Sequence, residues 1–162
     1  MMVRKIPPDK FYRIRSPTNF YSAISSDVEL LHASQAYVSM TTVILCCLDA
    51  LAAGSGKATR GKFEKFVERY FPDLCHALSA ICNDKKGSSV LYDNYRNGFA
   101  HLRGPKDKFA IAENHELGGE WAGQIEVDGV GQFVAMNVDR LAKEFQEFLK
   151  RRGQKAPTEN SL

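Results

Sequence analysis

Arg96, Asn97 and His101 are the residues of this chain whose types and spacing could do chemistry. A histidine titrates close to neutrality and can both accept and give a proton. An arginine presents a rigid, permanently charged fork that fits a phosphate or another oxyanion. An asparagine beside them can orient the imidazole or hold an oxygen. All three lie in Leu91-Tyr-Asp-Asn-Tyr-Arg-Asn-Gly-Phe-Ala-His101, a segment with helical periodicity.

At about 100° per residue, Leu91, Tyr95, Gly98 and Leu102 fall within about 60° of one another and face a bundle core. Asp93, Arg96, Asn97 and Ala100 lie near the opposite side. His101 is about 40° from Asn97 but about 140° from Arg96, so one straight helix does not aim both at one point. A second copy packed across a two-fold axis would unite them, and the small Ala100 lets two helices approach. The plainer arrangement pairs Arg96 with Asp93 or Asp49 and leaves His101 finishing a helix, where the dipole favours an imidazolium.

Asp49 is an acid on the otherwise apolar stretch Thr41 to Ala53. A carboxylate there requires a partner. The candidates are Arg96, the hydroxyl of Tyr92 or Tyr95, and backbone donors at a neighbouring helix start. Gly54-Ser-Gly-Lys-Ala-Thr59 is not a P-loop, because the first glycine of that pattern would fall on Leu51, Lys57 is followed by Ala58, and a helix precedes it. It reads as a helix stop and loop. Lys57 and Arg60, ahead of the next helix, and Arg103 are weak phosphate contacts. Tyr92 is a candidate for stacking a base, whereas Tyr95 belongs to the core.

The elements that must position these residues are mostly helical. Residues 1–18, with Pro7, Pro8 and Pro17, read as an arm, 19–152 as one domain and 153–162 as a frayed tail. Ser26 or Asp27 caps a first helical pattern running through Val28, Leu31, Ala36, Val38 and Met40. A second helix spans Thr41 to Ala53 and is apolar nearly all round, as a central helix should be. A third starts near Thr59, Pro72 turns the chain, and a short helix covers Asp73 to Cys82. Ser88 or Ser89 caps the helix that ends near Leu102.

Within about 106–136 the period becomes alternating. Phe109 to Ala112, Gln124 to Val127 and Gln132 to Met136 read as strands, with Gly118-Gly119 and Asp128-Gly129 as turns. Asn137 caps a last helix whose Leu141, Phe145, Phe148 and Leu149 share a face. The expected fold is mainly α: four to five helices with a β-hairpin or meander inserted before the last one. Trp121 and Phe133 should cover one end of the core, and Glu113, Glu116, Glu120 and Glu126 make the insertion an acidic, solvated face.

Composition bounds the remaining classes. The net charge of +3 permits a polyanionic partner without requiring one. Basic residues gather at Arg4 to Arg15, Lys57 to Lys65, Arg103 to Lys108 and Lys150 to Lys155. The apolar run Val43 to Ala53 contains Asp49 and is too short to cross a bilayer. Met1 to Phe11 does not read as a secretory signal, so a cytoplasmic protein is expected. Cys46, Cys47, Cys75 and Cys82 form no CxxC pair and are expected as buried reduced thiols, with no metal site and no cofactor. His32, His76 and His115 read as ordinary surface histidines.

Arg96-Asn-Gly-Phe-Ala-His101 resembles the Arg-x4–6-His pattern of HEPN domains, including the polar Asn97 directly after the arginine. Cys46-Cys-Leu-Asp-Ala-Leu-Ala52, the glycine-rich turn, and Phe63-Glu-Lys-Phe-Val-Glu-Arg-Tyr-Phe71 extend the likeness over about residues 20–105. The resemblance implies a HEPN-like bundle and a metal-independent endoribonuclease, a toxin or defence component, acting as a homodimer. Arg96 and His101 would be catalytic with Asn97 assisting, and Asp49 and Asp93 would support them. RNA can be cleaved by its own 2′-hydroxyl, so the protein need only move protons and balance charge: His101 for the first, Arg96 for the second. A cognate antitoxin or a nucleotidyltransferase is the partner the family suggests. The second expectation is a HEPN-like module without catalysis that binds a protein partner or a nucleotide.

Overall fold

Prolines, glycines and one unusual glutamine punctuate the helices. The computed structural model describes residues 17–154 apart from 84, 103 and 107, with only the backbone at 17–19 and 102. The expected arm to residue 16, the tail beyond 154 and Arg103 lie outside the described residues. Helix α1 is Pro17–Ala33 and α2 is Tyr37–Ala53. This corrects the expected first helix: Ser26 and Asp27 lie inside α1, and the break falls at 34–36 rather than at 41. Gln35 adopts φ +56°. Its N–H donates to the carbonyl of His32 while that of Ala36 reaches Leu31, which closes the helix as a Schellman turn. Glycine usually marks such a turn, and its absence hid this one.

Helix α3 is Arg60–Tyr70 and α4 is Pro72–Ile81. Helix α3 starts near Thr59 as expected, and the Thr59 side chain caps it by accepting from the N–H of Lys62 at 3.3 Å. Pro72 opens α4, where its missing N–H is no loss. Helix α5 runs without a break through Gly87–Val90, Leu91–Arg96 and Asn97–Leu102. Its start is not capped by Ser88 or Ser89. Those hydroxyls cross to α3, to Glu68 at 2.6 Å and Glu64 at 2.9 Å, and Ser79 serves the Gly87 N–H at 2.7 Å. A Cβ on Gly87 would sit 1.8 Å from the Cys75 carbonyl oxygen, so only glycine lets α5 begin against the α4 backbone.

Three strands follow: β1 Phe109–Ala112, β2 Ala122–Val127 and β3 Gly131–Asn137. The β2–β3 hairpin is as expected, with Val127 opposite Gly131 and Gly129 at φ +74°. A meander is not formed. The sheet order is β1-β3-β2, and β1 runs parallel to β3. β1 is led there by the packing of Phe109 on the ring of Tyr95, 5.5 Å between centroids, while the Tyr95 hydroxyl donates to the carbonyl of Val134 at 2.8 Å.

The last helix, α6, is Val138–Gly153. Asn137 caps it by accepting from the Arg140 N–H at 3.0 Å, and its amide donates to Asn114 and to the Glu120 carbonyl. The described residues thus form six helices, where the expected bundle had four to five. Helix α2 packs against α1, α3, α5 and α6, the central place its composition indicates. Met40, Ile44, Leu45, Leu48, Phe63, Leu74, Leu91, Tyr95, Leu141 and Phe145 fill the core. Trp121 is buried at the sheet end, with the Arg140 guanidinium 4.7 Å above its ring. No helix among the described residues is long and apolar enough to cross a membrane.

The cysteines depart from expectation. All four are free thiols, but Cys46 is exposed and Cys47 and Cys82 are only half-buried. Burial pushes the Cys75 thiol up to about 12 and the Cys47 thiol up to about 11. His32 does more than decorate the surface: its Nε2 lies 2.6 Å from Asp139 Oδ1 and joins α1 to α6.

Candidate functional site

The residues that carry the expected chemistry sit where α2, α3 and α5 meet. Over Leu91–Arg96 helix α5 widens into a π-turn, in which the Asn97 N–H reaches back five residues to the carbonyl of Tyr92. Such turns are rare and often occur at functional sites. Here the wide turn keeps Leu91 and Tyr95 in the core while the next residue, Arg96, meets α2.

Arg96 Nη2 contacts Asp49 Oδ2 at 2.5 Å, and Nη1 donates to Asn97 Oδ1 at 2.9 Å. Its guanidinium carbon lies 5.3 Å from the centre of the Tyr92 ring. The Asp49 side chain keeps 13% of its surface and that of Arg96 21%, so the pair is largely withdrawn from water but still reachable. Charge-assisted contacts of this kind are strong, and they fix the plane of the guanidinium. Of the partners open to Asp49, the fold selects Arg96.

Tyr92 stands between two arginines. Its ring packs edge-on against Phe63 at 5.4 Å, and the Arg60 guanidinium lies 5.8 Å from its centre. Arg60 is held by Glu64 at 2.7 Å and by Asp93 at 2.9 Å. Asp93 therefore supports Arg60, not Arg96. Burial pushes the Glu64 carboxyl up, but the hydrogen bonds from Arg60 and Ser89, with the charges of Arg60 and Lys86, outweigh it and hold it below its ordinary value. Glu64 was missed in the sequence reading, although its i, i+4 spacing from Arg60 was visible.

His101 lies on the last turn of α5 and is exposed. No hydrogen bond holds its ring among the described residues. From Asn97 onward the helix is an ordinary α-helix; Arg96 turns to Asp49 on α2, while His101 faces solvent. Ala100 is also exposed, but the adjoining Phe99 is buried. Gly98 is the tightest point of the motif. A Cβ there would stand 2.4 Å from the Gly104 carbonyl oxygen and 2.9 Å from Pro105 Cα, because the chain doubles back and the Lys106 N–H bonds to the carbonyl of Asn94 at 2.9 Å.

The fold thus unites Asp49, Tyr92, Arg96 and Asn97, brings in Asp93 through Arg60, and leaves His101 on the adjoining surface. Lys57 is exposed on the loop before α3 and joins none of these contacts through its side chain among the described residues. Among the described residues no three histidine, cysteine, aspartate or glutamate side chains are grouped as metal ligands would be. Comparison with family models, with curated proteins and with solved structures finds no match for this chain.

Proposed function

We propose that the chain is a HEPN-like endoribonuclease that cleaves RNA by 2′-hydroxyl attack, acts as a homodimer, and uses Arg96 and His101. The observation that carries this reading is the immobilised Arg96 guanidinium, fixed by Asp49 and Asn97 and set over Tyr92, five residues along the helix from a solvent-facing histidine. A fixed cation in a partly dry setting stabilises charge that grows on a phosphate, with little reorganisation. An exposed imidazole with no hydrogen-bond partner among the described residues can exchange protons with substrate. The exposed side of α5 around Ala100 and His101 is the face on which a second copy would complete the site.

The test is cleavage of single-stranded RNA in EDTA, with 2′,3′-cyclic phosphate ends. His101→Ala should lower the rate by about 10² to 10⁴. Arg96→Ala should lose comparably. Equal activity of the wild type and both variants sinks the reading, and a monomer mass by light scattering at working concentration sinks the composite site.

One observation favours a second reading, a HEPN-like module that binds without cleaving. Two Arg96 nitrogens already serve protein acceptors, and the Asp49 carboxylate neutralises the charge. Absence of cleavage together with a stable dimer would decide for it.

A further inference from the structure

Away from the Arg96 cluster, the ends of α3 and α6 form a continuous cationic trough. Three hollows, of about 580, 320 and 390 Å³, share walls at Arg152, Tyr70, Phe66 and Phe148. Every charged side chain that lines them is basic: Lys62, Lys65 and Arg69 from α3, Arg151 and Arg152 from α6. None of these five enters an ion pair among the described residues, in contrast to Arg60 and Arg96. A set of uncompensated cations around concave walls concentrates field and attracts polyanions.

Two of the guanidinium groups also lie over aromatic rings. Arg152 lies 4.8 Å from the centre of Tyr70 and 5.5 Å from that of Phe148, and Arg69 lies 5.3 Å from that of Tyr70. Arg152 Nη2 donates to the Tyr70 hydroxyl at 2.5 Å, which leaves the phenolic hydrogen free to be donated outward. Guanidinium groups held over rings combine charge for phosphate oxygens with an aromatic surface on which bases can pack.

We infer that this trough binds a single-stranded polynucleotide, with phosphates on the five cations and bases against the Arg–Tyr70 pair. A membrane surface fits less well, because such a face exposes large apolar side chains for insertion, whereas Leu51, Phe66 and Tyr70 are half-buried and Phe148 is buried. The large exposed aliphatics, Leu30, Val38, Val127 and Val130, line none of the three hollows. An acidic protein segment would use the charges but not the aromatic rings beside them. The inference goes beyond the cleavage reading and stands without it.

The experiment measures fluorescence anisotropy of a labelled 2′-O-methyl RNA of about twelve nucleotides, within the usual span of such sites. That probe lacks the nucleophile of the proposed cleavage, so binding is read separately from catalysis. Lys65 and Arg69 are both exposed, so Lys65→Glu/Arg69→Glu should stay folded by circular dichroism. It should bind at least about tenfold more weakly, with a salt slope shallower by about 1.4, or about 0.7 per phosphate contact of a single strand. Arg152→Lys keeps the charge but loses the fork and the ring contact, so it should weaken binding at an unchanged slope. A folded Lys65→Glu/Arg69→Glu protein that binds like the wild type overturns the inference. So does displacement of the oligonucleotide by poly-glutamate or by phosphatidylserine vesicles at equal charge concentration.

Discussion

Asp49 on α2 and Arg96 in the π-turn of α5 stand 47 residues apart in the chain and meet at 2.5 Å. Neither is a surface ion, and each is the other's charge partner. Asp49→Ala should therefore destabilise the protein by about 1–3 kcal/mol, because it strands a guanidinium short of water. Asp49→Asn keeps the shape and part of the hydrogen bonding, so it should cost little stability but lower cleavage if Arg96 is catalytic. Urea unfolding of Asp49→Ala, Arg96→Ala and the double variant checks the pairing: strictly additive losses would show that the two do not interact.

Gly98 tests whether the motif depends on the chain that folds back over it. Its missing Cβ is replaced by the Gly104 carbonyl oxygen and Pro105 Cα, both backbone atoms that cannot swing aside. Gly98→Ala should lose about 1–3 kcal/mol. Gly61, also helical but with open space where its Cβ would lie, should instead gain up to about 1 kcal/mol on substitution by alanine. Thermal melts of the two variants should shift in opposite directions.

Acid sensitivity follows from Glu64. Its folded-state carboxyl is held below the ordinary value of 4.5, so it adds stability above that pH, which is lost as pH falls through the lower folded value. Wild type should exceed Glu64→Gln in stability at pH 6, and the two should converge on acidification. A gap that stays constant down to the acid limit would contradict the Arg60–Glu64–Ser89 arrangement.

Thiol labelling should separate the cysteines. Cys46 is exposed, whereas burial pushes Cys75 to about 12 and Cys47 to about 11 and raises Cys82 as well. A thiol reagent at pH 8 should modify Cys46 first in the native protein and all four only after denaturation. Mass mapping that finds Cys75 modified as fast as Cys46 would refute this ordering.

Much of the fold was legible because it rests on short-range rules. The helix start near Thr59, the Asn137 cap, the Pro72 turn, the three strand segments and the hairpin glycines all follow from local backbone chemistry within a few residues. So did the burial of Tyr95 and the need of Asp49 for a partner, since a 3.6-residue period and an acid among apolar residues are both local facts. The places where local rules fell short are instructive. Gln35 closes α1 in a conformation that usually marks glycine, and a π-turn leaves no mark in a list of residue types.

What only the tertiary structure decided is which distant groups meet. Asp49 chose Arg96 over a tyrosine, Asp93 went to Arg60, β1 paired in parallel with β3 beyond the hairpin, and cations from α3 and α6 gathered around Tyr70 and Phe148. Each outcome depends on how helices cross and on where the chain returns. Those are set by the packing of the whole core, in which many weak contacts are optimised together, and no window of sequence contains them.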